Sequence, residues 1–221
     1  MHEIIIEEKI LAENSRLAAQ NRALLRGRGI YSVNLISSPG AGKTSLIEKA
    51  APYLKQAVGG FAVVEGDLAT ELDAERVARL GVPVRQVKTG RACHLDAHDI
   101  SHVLAWAGGL DGLRLLVIEN VGNMVCPAEY DLGEEMKITV LSATEGDDKP
   151  LKYPAIFAAS TALVLNKTDL IPYTDFSMGR ARENALRINP SLKVFETSCR
   201  TGEGVEAFSA FVAGCAAGAA E

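Results

Sequence analysis

Residues 37–44 read Ser-Ser-Pro-Gly-Ala-Gly-Lys-Thr. A glycine-bearing loop ending in Lys-Thr can wrap an anion in successive backbone N–H groups and point the next helix's N-terminus at it. The lysine then reaches the terminal phosphates, and the threonine hydroxyl is free for Mg2+. The candidate phosphate-binding residues are Ser38, Pro39, Gly40, Ala41, Gly42, Lys43, Thr44 and Ser45. Ser37 replaces the first glycine of the usual G-x-x-x-x-G-K-[ST] pattern, leaving Gly40 and Gly42 to supply the tight backbone. An apolar run, Val33–Ile36, precedes the loop and a helix-like run, Ser45–Tyr53, follows it, the context this motif needs.

A second set of residues could read the base. Asn166-Lys167-Thr168-Asp169 follows the apolar run Leu163–Leu165. The Asp169 carboxylate can accept from both N1–H and the exocyclic amine of guanine, a donor pair that adenine lacks. Lys167 can lie along the base plane. The segment Thr197-Ser198-Cys199-Arg200-Thr201-Gly202 follows the last strand candidate, so Ser198 and Cys199 are placed where a backbone N–H can meet guanine O6. Alone, N-K-x-D fits a solvated turn equally well; behind a phosphate loop and in strand order it points to GTP. For Mg2+ and the attacking water the candidates are Thr44, Glu119 at the end of Leu113–Ile118, and Asp67 beside Gly66, with Asp73 as a substitute. Lys43, Asp67 and Glu119 form the candidate catalytic set. A helix-capping role for either acid is the plainer reading. No arginine stands out as a cis charge donor, which predicts a slow intrinsic GTPase.

A third set is suited to a softer metal. Cys93-His94 is followed by His98 and His102, and Cys126 lies seven residues past Glu119. Thiolate and imidazole suit Ni2+ or Zn2+. A helix predicted over His94–Trp106 puts histidines 94, 98 and 102 on one stripe, with His98 and His102 as a second site. Adjacent Cys93 and His94 are awkward for one ion, so two chains meeting at this surface are expected to complete the coordination. Buried thiols and a solvated histidine face are the competing readings. A metal at Cys126 would sense the γ-phosphate through the loop after Glu119.

The elements that must position these groups follow from the hydropathy pattern. At 221 residues the chain suits one domain with a short appendage: a helical arm over 1–29 and a nucleotide-binding domain over 30–221. Residues 3–26 read as an amphipathic helix with apolar positions Ile6, Ile10, Leu17, Leu24 and Leu25 among charges, an arm packed on the domain or on a partner. Beyond it, seven apolar strand candidates alternate with helices: 31–37, 61–65, 84–87, 113–119, 137–142, 162–166 and 193–196. Such a pattern predicts an α/β fold, a three-layer P-loop NTPase with a mainly parallel sheet. The helix candidate 69–80 and the fraying tail 213–220 complete the pass. Net charge −5 without a basic stripe argues against nucleic acid. The acidic start is unlike a secretory signal and no run is membrane-spanning, so the expected place is the cytoplasm with reduced thiols.

The segments S-S-P-G-A-G-K-T, E-G-D-L-A-T-E-L-D-A-E-R, T-G-R-A-C-H-L-D-A, E-N-V-G-N-M-V-C-P, T-E-G-D-D-K-P-L-K-Y-P and N-K-T-D-L together resemble the HypB family over about residues 30 to 207. The resemblance implies a SIMIBI-class GTPase that forms a GTP-promoted homodimer, with nickel or zinc at Cys93, His94 and Cys126 near its interface. It also implies delivery of nickel to the [NiFe]-hydrogenase large-subunit precursor through an accessory metallochaperone. Lys152 would reach nucleotide from the partner chain. Residues 1–30 lack the cysteine motif and histidine tract of some members, so tight N-terminal binding and bulk storage are not expected. A urease-accessory GTPase would carry Cys-Pro-His where this chain has Cys126-Pro127-Ala128. A non-enzymatic metal-binding protein would not need the Lys43/Thr44 and Asn166/Asp169 pairs.

Overall fold

The computed structural model describes residues 2–67, 72–90 and 92–218, with the backbone alone for 2–7. A long helix α1 (His2–Gly27) leads into β1 (Tyr31–Ser37), α2 (Lys43–Val58), β2 (Phe61–Asp67), α3 (Leu72–Ala78) and β3 (Val84–Lys88). Then come α4 (Ala97–Gly108), β4 (Leu115–Glu119), a short α5 (Cys126–Glu129), β5 (Met136–Ser142), α6 (Lys149–Lys152) and α7 (Pro154–Ala159). The chain closes with β6 (Ala162–Asn166), a 3-10 turn (Thr168–Tyr173), α8 (Met178–Ile188), β7 (Lys193–Thr197) and α9 (Val205–Gly218).

The strands form one parallel sheet in the order β3-β2-β4-β1-β5-β6-β7. Central strands that are apolar throughout must be covered on both faces. Val33, Leu35, Leu115 and Val117 pack toward α2 and α9, whereas Leu116 and Ile118 pack toward α1 and α4. Ile36, Leu163 and Leu165 meet α7 and α8. Strand order reverses about β1, which has β4 on one side and β5 on the other, so a crevice opens beyond its carboxyl end. Among the described residues, no helix is long and apolar enough to cross a membrane.

Three expectations need correction. The inward stripe of α1 is Asn14, Ala18, Asn21 and Leu25, while Ile10 and Leu24 are half exposed. Two of the four contacts are therefore amides, which a hydropathy pattern does not detect. Asn14 donates to Asp131 O at 2.8 Å and accepts from Ala97 N at 2.9 Å. Asn21 donates to Ala97 O at 2.7 Å and Leu132 O at 3.0 Å. The Ile6 side chain and residues 69–71 lie outside the described set. Second, α4 starts at Ala97, because Asp96 and Asp99 form a capping box: Asp99 N donates to the Asp96 carboxylate at 2.8 Å. Third, the tail does not fray at Ala213; α9 continues to Gly218 with Ala213 and Ala216 buried.

Asn21→Ala is expected to destabilise the fold by about 1–3 kcal/mol, because two buried carbonyls lose their donor. Leu24→Ala should change stability by less than about 0.5 kcal/mol. Urea denaturation of both variants checks this; equal losses would place α1's docking energy in its apolar side chains.

Candidate functional site

The loop after β1 and the start of α2 line a cleft of about 410 Å3, together with Glu65, Asp67, Glu119 and Lys167. Gly42 ends the loop at φ 102°, and a Cβ there would lie 2.5 Å from Asn166 Nδ2, so no other residue fits. Lys43 is buried, and its Nζ donates to Ser37 Oγ at 3.0 Å. The serine at the missing glycine position thus offers the lysine an acceptor inside the loop. Burial pushes the Lys43 ammonium below its usual range against the pull of Glu119. A triphosphate would supply the counter-charge it lacks. Lys149 of α6 donates to Ser38 Oγ at 3.3 Å. Lys152 instead pairs with Asp148 at 2.7 Å on the exposed side of the same turn.

The carboxylates sit where strands β2 and β4 end side by side, Glu65 opposite Glu119 in register. Thr44 Oγ1 donates to Glu119 Oε1 at 2.8 Å. The other Glu119 oxygen and Glu65 Oε2 are buried without a hydrogen-bond partner. Oxygens of Glu65, Asp73 and Glu119 lie within 4.8 Å of one another. Orphaned carboxylate oxygens beside a phosphate-loop threonine fit a divalent cation. Asp67 lines the same cleft at the end of β2, outside this tight cluster. Glu65 is the residue the sequence reading missed: it looked like one more strand position. Its only signal was a charge in a run that is otherwise apolar. Arg76 also borders the cleft, bonded to Glu48, Ser45 and Asp73.

Burial, with the neighbouring acids, raises Glu65 to about 8; burial against the pull of Lys43 leaves Glu119 at about 7. Both values exceed the unfolded one, so between about pH 5 and 8 the folded state holds more protons. The ligand-free protein should therefore lose stability as pH rises through that window, and Mg2+ with nucleotide should flatten the loss. Melting curves at pH 6 and 8, with and without Mg2+ and GDP, check this; an apo Tm that rises with pH would contradict it.

At the base end, Asn166 Nδ2 donates to Ala41 O at 2.9 Å and Lys167 Nζ to Gly40 O at 2.7 Å. Among described non-glycine residues, Lys167 alone has positive φ, 63°. Thr197 Oγ1 donates to Asn166 Oδ1, and Cys199 Sγ faces the same oxygen at 3.4 Å. Ser198 Oγ donates to Asp169 Oδ1 at 2.6 Å. The loops after β6 and β7 are thus tied to each other and to the phosphate loop, with the Asp169 carboxylate at their rim.

The third set converges beyond β4. Cys93, His94 and Cys126 place ligand atoms within 4.8 Å of one another. Cys93 Sγ donates to Cys126 Sγ at 3.2 Å and lies 3.6 Å from His94 Nδ1. Adjacent Cys93 and His94 therefore do converge on one point, contrary to the expectation of an awkward fit. Residues 92–96 before α4 are not helical, which allows it. His94 is off the helix, so the three-histidine stripe reduces to His98 and His102, with Nε2 atoms 3.2 Å apart in a separate cluster. The His94 ring lies 4.0 Å from that of Tyr130, and burial lowers its pKa, favouring the neutral imidazole a metal needs. The Cys126 thiol is pushed up, first by the hydrogen bond from Cys93.

The nucleotide-binding domain model of the CobW/HypB/UreG family matches residues 32–196. A hydrogenase maturation factor HypB from Rhizobium leguminosarum bv. viciae is 48% identical over 209 residues, covering 95% of this chain and 69% of that protein. Among solved structures, HypB from Helicobacter pylori in complex with nickel superposes with a TM-score of 0.87 at 38% identity, covering 93% of this chain and 96% of that one. Hydrogenase maturation factor HypB from Archaeoglobus fulgidus gives 0.86 at 40% identity, with 93% and 99% covered.

Proposed function

Because this chain belongs to the HypB family of hydrogenase maturation factors, we propose that it is a Mg2+-dependent GTPase whose nucleotide state governs nickel held at Cys93, His94 and Cys126. The cargo passes to a [NiFe]-hydrogenase large-subunit precursor through an accessory metallochaperone, and zinc competes for the same ligands. One observation carries the reading. Three soft ligand atoms converge at the end of the loop that begins at Glu119, and Glu119 is hydrogen-bonded to the phosphate-loop Thr44. Chemistry at the phosphate and coordination at the thiols thus share one short segment of backbone.

GTP binding would place its phosphates in the loop, where Lys43 exchanges Ser37 for a charged acceptor. Thr44 and Glu119, with Glu65 beside them, would hold Mg2+, and Asp67 at the cleft wall would reach it through water; the ion would supply positive charge to offset that of the phosphates. Asp169 selects guanine, and Asn166 and Lys167 brace the loop against it. Catalysis is then positioning and electrostatics. Slow turnover is supported by Arg76, which is fastened to Glu48 and Asp73. Cys93 is exposed, and three ligands leave a nickel ion short of a closed shell. A second copy of the chain, docked in the GTP state, would complete it; hydrolysis would separate the copies and free the cargo.

Equilibrium Ni2+ and Zn2+ titrations with and without a non-hydrolysable GTP analogue, on wild type and Cys93→Ala, test the reading, alongside phosphate release from GTP. Metal affinity indifferent to nucleotide, or undiminished in the variant, would sink it.

A further inference from the structure

The nucleotide cleft and the metal cluster are joined through one buried side chain. Asn120 follows Glu119 directly and is 1% exposed. Its backbone N–H donates to Leu35 O of β1 at 3.0 Å, and its Nδ2 to Asn34 Oδ1 at 3.3 Å, fixing it to the strand that feeds the phosphate loop. Its Oδ1 accepts from two backbone N–H groups, Leu95 at 3.0 Å and Val121 at 2.9 Å. Leu95 is the residue after His94. The Leu95 side chain is fully buried and lies over Gly66, where a Cβ would come within 2.7 Å of Leu95 Cδ1. Gly66 sits between Glu65 and Asp67, two cleft carboxylates. Leu95 is thus held from the β4 side by an amide and from the β2 side by a close contact, and each hold is one residue from an acid that lines the cleft.

We propose that Asn120 is the positioning residue that couples nucleotide state to nickel affinity, by setting the backbone of Leu95 and with it the His94 imidazole. The inference rests on the nucleotide-governed nickel binding proposed above. A move of Glu119 toward or away from the cation site carries Asn120 with it, because the two are consecutive. The Leu95 N–H follows the Asn120 oxygen it donates to, since releasing it would orphan a buried donor. His94 then shifts relative to Cys126, which lies beyond the same loop. Asn120 borders the cleft, but its side-chain amide is engaged by Asn34, Leu95 and Val121 and is not among the metal-ligand candidates, so removing it should change how the two sites respond to each other more than how either binds.

The test is the ratio of Ni2+ dissociation constants in the GTP-analogue and GDP states, measured by titration calorimetry with Mg2+ present. Wild type should show a ratio of about fivefold or more. Asn120→Ala should bring it to within about twofold of unity, with the geometric mean of the two nickel constants held within about fivefold of wild type. A merely structural residue would weaken both states together and leave the ratio intact. Gly66→Ala reaches Leu95 from the other side and should also compress the ratio, which keeps the proposal testable if Asn120→Ala does not fold. A wild-type ratio of one overturns the functional reading. A wild-type ratio that survives in the folded variants overturns the coupling role of Asn120 alone.

Discussion

Asp169→Ala should weaken GTP binding by roughly a hundredfold to ten-thousandfold and leave the protein unable to tell GTP from ATP. Two donors of guanine would meet one carboxylate, and hydrogen bonds to a charged group contribute about 1.5–3 kcal/mol each. Two such bonds amount to about 3–6 kcal/mol, which is that range of affinity. Adenine never had the bonds to lose, so its affinity should hardly change, and the selectivity collapses from the guanine side only. Ser198 Oγ, which donates to the carboxylate at 2.6 Å, keeps Asp169 pointed at the rim before any base arrives. Ser198→Ala should therefore cost less, about tenfold, through lost orientation. Competition of GDP and ADP against a fluorescent guanine nucleotide reads both effects. Equal losses for the two nucleotides in Asp169→Ala would mean that the carboxylate supports the fold and does not read the base.

Cys126→Ala should weaken Ni2+ binding by roughly two to three orders of magnitude while GTP hydrolysis in nickel-free buffer containing Mg2+ stays near wild type. The size follows from sharing the ~10–16 kcal/mol of a four-ligand thiolate–imidazole site among its donors, about 2.5–4 kcal/mol each. The pKa of this thiol is pushed up, so it must give up a proton to bind. Affinity in wild type should accordingly strengthen as pH rises from 6 to 8, with proton release on binding. Burial lowers the His94 pKa, so the imidazole adds less to that dependence than an ordinary histidine would. Chelator competition monitored by the thiolate-to-nickel absorption band measures affinity and ligand identity together. An unchanged band in Cys126→Ala would remove this thiol from the site.

How much of this could be read from the chain alone depends on the kind of contact. Strand positions announced themselves, because a parallel sheet covered on both faces demands unbroken apolar runs such as Leu115–Glu119, and the alternating helices made the α/β fold readable. The phosphate loop was legible because its backbone geometry needs glycine at a set place. Asn14, Asn21 and Asn120 were not legible: each bonds backbone groups 25 to 117 residues away, and an asparagine carries the same letter in a surface turn. Glu65 was hidden for a related reason, since only its register opposite Glu119 shows that two acids share one pocket. His94 was misplaced on a helix because the capping preference of Asp96 was outweighed by the attraction of a four-residue histidine spacing.

The amide fastening of α1 also has a consequence for the order of events during synthesis. Asn14 and Asn21 bond to groups 76 to 117 residues further along the chain. Helix α1 leaves the ribosome before every group its asparagines bond, because those groups belong to Ala97, Asp131 and Leu132. At about 5–20 residues per second the wait is roughly 6 to 23 seconds. Strand β1 waits similarly for β4 and β5, its only neighbours in the sheet. For that interval α1 and the apolar strand β1 lack the partners they have in the fold, and they depend on whatever shields nascent chains in the cell.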